Sequence, residues 1–439
     1  MSVEATLEGS LREAARRFGT PVFVTDVGAL DAAATEFRAA FPDPWLRSYS
    51  LKANDVAGIV ARLVHPAAPG GLGANVVSRG EWAIARRSGV PNDRVTLEGI
   101  GKTDADVRAA VWAAADGSPL RWVAAESADE TAALLAAARR ARLGRSAPRL
   151  DVLLRLNPDV TPETHAGLAV GVGGSKFGMS EPELAEAIEA GGGPDGPISW
   201  RGIHLHVGSQ LGAVDAWRDA IRRALALLAL LRGGLADFDT LDVGGGFPVA
   251  PRGSTGPDGS PAVPAPSLFA REVTALLRAL PADRRPARLA VEPGRFLVAR
   301  AGWLVGRVLH VRDRGGQPVA VIDTGMTELI RPALYGAHHP IFALTTNGRA
   351  VAGLDPSAAG PERGPTRVEG PICESTDALG EHRLPPLRRG DLIAIADAGA
   401  YGTVLGSAYN GRPRPPQVLL ETDGSLTLTR RRGSLAALG

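Results

Sequence analysis

Short apolar runs alternate with longer stretches of helical spacing from about residue 46 to about residue 295. The runs are Leu46–Lys52, Leu72–Ser78, Arg94–Glu98, Arg121–Glu126, Asp151–Asn157, Gly202–Val207, Thr240–Val243 and Arg288–Glu292. Each is rich in Val, Leu or Ile and bounded by turn residues, the pattern of a buried strand. The gaps between them carry apolar positions at helical spacing, as in EWAIARRSG, ADVRAAVWAAA, ESADETAALLAAARRARLG and DAWRDAIRRALALLALLRGG. Eight strand-and-helix units in about 250 residues predict an α/β chain built on a (β/α)8 barrel. A doubly wound open sheet would show the same alternation, but no nucleotide fingerprint follows the first strand.

Beyond Arg295 the rhythm changes. WLVGRVLHVRD, PVAVIDTG, DLIAIADAGA, PQVLLETDG and SLTLTRR read as strands separated by turns, with little helix. The short run Pro21–Asp26 also reads as a strand and is expected to pair into this later, mostly β domain. The expected layout is a barrel over residues 28–298 and a β-rich domain from residues 1–27 and 299–439. Two Pro- and Gly-rich stretches, Pro248–Pro266 and Thr345–Thr366, read as loops.

Composition narrows the class of partner. The charged fraction of 22% and the net charge of +2 are those of an ordinary globular protein. With no basic stripe interleaved with aromatics, nucleic acid is not expected as a partner. No apolar run reaches the roughly 20 residues a membrane helix needs, and no apolar signal core opens the chain. The single cysteine, Cys373, excludes an internal disulfide and fits a reducing compartment, so a cytoplasmic protein is expected.

In a barrel, the loops at the C-terminal strand ends build the active site. The unusual residues fall there: Lys52 after the first strand, Arg155 and Asn157 on the fifth, HLHVGSQ after the sixth. GGGF then follows the seventh and EPGR the eighth. Gly244, Gly245 and Gly246 leave backbone N–H groups free to approach phosphate oxygens, although a glycine run is more often only a turn. Followed one strand later by Glu292-Pro-Gly294-Arg295, it reads as a phosphate cradle. A phosphate site, a strand-end lysine and a strand-end carboxylate together suggest pyridoxal 5′-phosphate. On that reading Lys52 bonds the cofactor aldehyde, Glu292 keeps the pyridine nitrogen protonated and His206 packs against the ring. The plainer readings are a solvated lysine, a core histidine and a Glu292–Arg295 ion pair.

The motifs SLKAN, GLGANVVSRGEW, LLRLNPDV, SKFGM, HLHVGSQ, LDVGGGFP, VEPGRFLVARAG, LIRPALYGAHHPI, GPICESTDALG, DAGAYG and YNGRPRP run nearly end to end. In that order the chain resembles the fold-type III pyridoxal-phosphate decarboxylases, and within them the diaminopimelate decarboxylases. The resemblance implies an alanine-racemase-like barrel followed by a β domain. It also implies a homodimer in which each β domain completes the partner's active site. Lys52 then matches the cofactor-bonding lysine and His206 the ring-stacking histidine. Ser209, Gly245, Gly246, Gly294, Arg295 and Tyr401 match cofactor contacts, and Glu292 matches the pyridine-nitrogen partner. Arg155, Arg295, Arg331, Tyr335, Glu374 and Tyr401 match the residues around the substrate, and Cys373 matches the acid that protonates the product.

Two arginines suit a distal carboxylate and Glu374 a distal ammonium, so the implied reaction is meso-2,6-diaminopimelate to L-lysine and carbon dioxide. Three positions depart from the family pattern. Asn75 replaces the usual aspartate of GADVVS, LEGIGKT lacks an asparagine before Gly-Lys, and a leucine precedes Lys52. These keep open a related, modified or carrier-bound amino acid as substrate. A fold-type III racemase would place arginine near the ring nitrogen, where Glu292 stands, and a non-catalytic carrier of the same barrel would lack the β domain. A metalloenzyme using His204, His206, His338 and His339 lacks a carboxylate-rich partner motif, so no metal is expected.

Overall fold

The computed structural model describes residues 3–65, 71–144, 149–235, 237–255, 261–354 and 364–437. The chain forms two compact units, one of Ala34–Pro248 with Gly256–Gly294, the other of Met1–Ala33, Val249–Thr255 and Arg295–Gly439. Parts of the two expected Pro- and Gly-rich loops, residues 256–260 and 355–363, lie outside the described residues.

After a helix at Val3–Phe18 and strand β1 (Val22–Asp26), the chain enters the barrel. Its strands are β2 (Leu46–Ser50), β3 (Gly73–Val76), β4 (Val95–Leu97), β5 (Trp122–Ala125), β6 (Leu150–Leu156), β7 (Ile198–Leu205), β8 (Thr240–Asp242) and β9 (Arg288–Val291). They pair in sequence order, all parallel, and β2 closes onto β9 with Leu46 opposite Ala290 and Arg47 opposite Val291. The predicted eight-stranded barrel is therefore present. Four of the helices that follow strands start at a capping residue legible in the sequence. Ser78 and Ser127 accept from the N–H groups of Glu81 and Glu130, while Thr103/Asp106 and Ser180/Glu183 form reciprocal capping boxes. Aromatic rings fill part of the space under the helices: Phe41, Phe247, Phe269 and Trp217 meet in succession at 5.5, 5.1 and 5.2 Å.

The second unit is rich in β-strands. It contains β10 (Gly302–Arg314), β11 (Gln317–Ile322), β12 (Ile341–Ala343), β13 (Thr345–Thr346), β14 (Arg349–Ala350), β15 (Thr366–Glu369), β16 (Ala378–His382), β17 (Leu392–Ile395), β18 (Gln417–Leu420) and β19 (Leu426–Arg430). β1 joins this sheet in its middle, antiparallel to β10 and parallel to β18. That position follows from its side chains, which are buried on both faces. Val22 and Val24 pack with Trp303, Val305 and Phe342, and Phe23 packs with Leu304, Ile322 and Ile395. No helix among the described residues is long and apolar enough to cross a membrane.

Candidate active site

The first strand stops two residues short of the lysine. β2 ends at Ser50, Leu51–Ala53 makes one 3-10 turn, and Lys52 sits half-buried within it. The turn is tied to the far side of the barrel closure by the Ser50 N–H, which donates to Pro293 O at 3.0 Å. Lys52 is close enough for its charge to act on Glu98, Glu81, His204 and His206.

The glycine loop after β8 is packed against the loops on either side. A Cβ on Gly244 would lie 2.1 Å from Leu205 O, one on Gly245 2.5 Å from Glu292 O, and one on Gly246 2.7 Å from Gly208 O. Gly244 and Gly246 also hold left-handed φ values of 69° and 106°, so glycine is required there. The Gly245 N–H donates to His206 Nδ1 at 3.3 Å. Enclosure pushes the His206 imidazole well below its ordinary pKa, aided by the charges of Lys52 and Arg155. Ser209 lies on the same loop, its N–H bonded to Leu168 O and its carbonyl accepting from Thr164 Oγ1.

Beneath these groups is a buried polar cluster that the sequence reading did not assemble. Asn75 of β3 donates both amide hydrogens, to Glu98 Oε2 at 2.6 Å and to Glu292 Oε1 at 2.5 Å. His204 Nε2 faces the same two oxygens at 3.3 and 3.5 Å. Asp242 accepts from the Gly244 N–H at 2.9 Å, and the indole N–H of Trp122 points at Glu98 Oε1 from 3.4 Å. All five polar side chains are at most 3% exposed. Burial, then the charge of Glu292, pushes Glu98 up to about 8. Burial and the charges of Glu292 and Glu98 push Asp242 well above the carboxylate range. Burial lowers His204 to about 4, against the pull of Glu98. At neutral pH Glu98 therefore keeps its proton and the imidazole is neutral, while Asp242 is biased toward its protonated form. Glu98, His204 and Glu292 stand within the 4.8 Å spread a metal ion needs. The Asn75 amide hydrogens already point at the two carboxylate oxygens a cation would use, so the donor set does not suit a metal.

Arg155, expected among the substrate contacts, is only 5% exposed. Its guanidinium is paired with Glu126 and lies 5.0 Å from the Phe177 ring centre. Glu126 also accepts from the Gly178 N–H, and Asn157 donates to the carbonyls of Val172 and Phe177. The SKFGM segment is thereby fastened to the ends of β5 and β6.

In the β-rich unit Arg295 and Arg331 come together. The Arg295 guanidinium lies 4.7 Å over the Tyr401 ring. Burial, then the charge of Arg295, lowers Arg331 to about 10, and Tyr335 and Tyr401 act on both guanidiniums. Arg331 Nη1 donates to His339 Nε2 at 3.0 Å, while His339 Nδ1–H donates to Ala396 O at 3.1 Å. Burial and the Arg331 charge lower His339 to about 3, consistent with that neutral tautomer. His339 is thereby the buried support of Arg331. Tyr401 itself sits in left-handed backbone at φ 55°, as does Asp397 at 56°, conformations that cost energy away from glycine. Between them a Cβ on Gly399 would lie 1.8 Å from Val298 O.

Cys373 and Glu374 lie on an exposed loop of this unit. Glu374 accepts from the Tyr409 hydroxyl at 2.7 Å, and the Asn410 amide lies 3.5 Å from Cys373 Sγ. Asp377 holds the loop by accepting from the N–H groups of Met326 and Ile372.

These residues fit pyridoxal phosphate. The glycine loop carries no side chains that would keep a phosphate from its backbone, the charge of Lys52 acts on the His206 that contacts this loop, and Glu292 offers a buried carboxylate that would suit a protonated ring nitrogen. The fold and site thus define a pyridoxal-phosphate barrel enzyme. Residues 27–299 match the family described as "Pyridoxal-dependent decarboxylase, pyridoxal binding domain", and the chain belongs to that family. It is similar to diaminopimelate decarboxylase of Aquifex aeolicus, 33% identical over 98% of this chain and 93% of that one. The Deinococcus radiodurans enzyme of the same name is 34% identical, with 96% of each chain covered. The crystal structure of diaminopimelate decarboxylase from Helicobacter pylori complexed with L-lysine superposes with a TM-score of 0.83. It is 27% identical and covers 97% of this chain and 98% of its own.

Proposed function

We propose that this enzyme decarboxylates meso-2,6-diaminopimelate to L-lysine and carbon dioxide. The observation that carries the substrate is the pair of guanidiniums, buried Arg295 and half-buried Arg331. Each disfavours the other's charge, and burial adds to that cost. A carboxylate arriving between such groups relieves the repulsion and accepts charge-assisted hydrogen bonds. Tyr335 and Tyr401 are further polar contacts for it. The likeness to diaminopimelate decarboxylases along nearly the whole chain supports the same substrate.

Bound pyridoxal phosphate supplies a conjugated ring that takes up the electron pair left when carbon dioxide departs. Lys52 offers the amine that bonds its aldehyde. Ser209, Gly245, Gly246, Gly294 and Tyr401 would hold the phosphate, Glu292 would keep a proton on the ring nitrogen, and His206 would steady the ring. Arg155, fixed by Glu126, brings a positive charge to the barrel end. Cys373 gives a proton to the substrate Cα after carbon dioxide leaves, and Glu374 receives the distal ammonium. Both lie on an exposed loop, as residues serving a neighbouring barrel would, so the working form is a homodimer. A cytoplasmic setting suits a chain whose one cysteine must stay reduced.

Carbon dioxide release from meso-diaminopimelate, L- and D-lysine, ornithine, arginine and glutamate tests this reading. Diaminopimelate is expected to turn over with kcat/KM at least about 100-fold above the others, the scale of one well-placed charge contact. Turnover of ornithine or only of a modified amino acid would remove the substrate assignment. Solvent deuterium entering Cα without loss of carbon dioxide would make the enzyme a racemase.

A further inference from the structure

Asn75 occupies a position that an acidic residue would fill very differently. Its two amide hydrogens reach two separate carboxyl groups, Glu98 and Glu292, which approach from different strand ends. An ionised carboxylate has no hydrogen to give and repels both. We propose that Asn75 is a positioning residue, a two-armed amide that joins Glu98 to Glu292 and holds the Glu292 carboxylate in one orientation. This rests on the reading of Glu292 as the partner of the cofactor ring nitrogen.

Glu292 also shares carboxyl–carboxyl hydrogen bonds with Glu98 and Asp242. His204 faces it from β7 and Asp242 from β8, while Lys52 acts on the cluster from the turn after β2. The amide differs from all of these in giving two hydrogens, at 2.6 and 2.5 Å, from one rigid plane. With Asn75 in place, three carboxyl groups and one neutral imidazole share the site. An aspartate there would make four carboxyl groups and would remove both donors. Burial and mutual repulsion would then force a further proton into the cluster.

Asparagine and aspartate are nearly the same size, as are glutamine and glutamate, so the test can exchange chemistry while keeping shape. Holoenzymes of wild type, N75D, N75A, E292Q and the exchanged pair N75D/E98Q are compared. The readouts are pH titration of the bound cofactor's visible absorption, cofactor affinity by tryptophan fluorescence, and kcat and KM measured separately. N75D is expected to move the spectral midpoint upward by about one pH unit and to weaken cofactor binding about tenfold. The loss should fall on kcat more than on KM. N75D/E98Q restores the count of carboxyl groups and returns one amide to the pair, so it should recover most of both effects. A packing role alone would impair N75A, leave the nearly isosteric N75D close to wild type and give the exchange no effect, which would overturn the proposal. A wild-type midpoint in N75D would also overturn it. If E292Q itself left spectrum and affinity unchanged, the assignment of Glu292 would fall first, and the role of Asn75 with it. If E292Q is perturbed and N75D is not, only the role of Asn75 fails.

Discussion

Glu98 makes the cofactor-free barrel less stable as pH rises, and E98Q should remove that dependence. Glu98 ordinarily loses its proton near 4.5 and holds it to about 8 in the folded chain. Between those values the folded state binds a proton that the unfolded state has released. The stability contribution is therefore complete below 4.5 and declines as pH rises toward 8, at about 1.4 kcal/mol per pH unit. Across the whole window this amounts to about 5 kcal/mol, a large fraction of the stability of an ordinary domain. Glutamine keeps the size of Glu98 and can present oxygen to Asn75 and N–H groups to Glu292. E98Q should match wild type near pH 5 and exceed it increasingly toward pH 8. Asp242, raised in the same direction, leaves a residual slope of the same sign. Urea unfolding of the two cofactor-free proteins from pH 5 to 8.5, followed by fluorescence of tryptophans including Trp122 beside Glu98, measures the difference. Parallel profiles for wild type and E98Q would show that Glu98 carries no proton in the folded chain and refute the reasoning.

Four further outcomes are expected. K52A should lose the covalently held visible chromophore and several orders of magnitude in kcat, measured by absorption and carbon dioxide release. R331A should raise KM for a substrate with a distal carboxylate about 100-fold, the scale of a lost charge-assisted bond, and H339L should raise it about tenfold by freeing the Arg331 side chain, both read from steady-state kinetics. Mixed and reassociated K52A and C373A chains should recover about one quarter of wild-type activity, because half the dimers are mixed and each of those has one intact site. No recovery would remove the shared-site homodimer.

The barrel was legible because its strands are short and apolar, and four of the helices that follow them start at a capping residue. The Ser78-to-Glu81 and Thr103-to-Asp106 spacings each mark a capped helix a few residues after a strand. The position of β1 was legible as a strand but not as a central one, because its neighbours β10 and β18 are hundreds of residues away. Lys52, Glu292 and the glycine run stood out because they interrupt apolar strand ends. Glu98 and Asp242 end strands in the same way, yet each looks like an ordinary surface acid when read singly. Only the closure of the barrel puts them, His204 and Asn75 around one point. His339 was hidden for a different reason: its role is to orient another side chain, and a histidine that does so has no spacing signature.

Among the described residues each unit holds a cluster of like ionisable groups, and each cluster suits a ligand of complementary charge. In the barrel three carboxyl groups crowd one imidazole, an arrangement that favours a positively charged ring nitrogen over any neutral one. In the β-rich unit two guanidiniums crowd each other, with Asp397, neutral His339 and two phenols acting on them, and a further carboxylate there would ease the repulsion. Neither cluster is what stability alone would select, since apolar side chains of similar size would pack without desolvating charge. Each unit therefore folds against a local electrostatic cost that binding relieves. Cofactor should stabilise the barrel more at high pH, where the carboxyl cluster is most strained. Substrate carboxylate should stabilise the β-rich unit with little pH dependence, because both arginines stay charged throughout the working range.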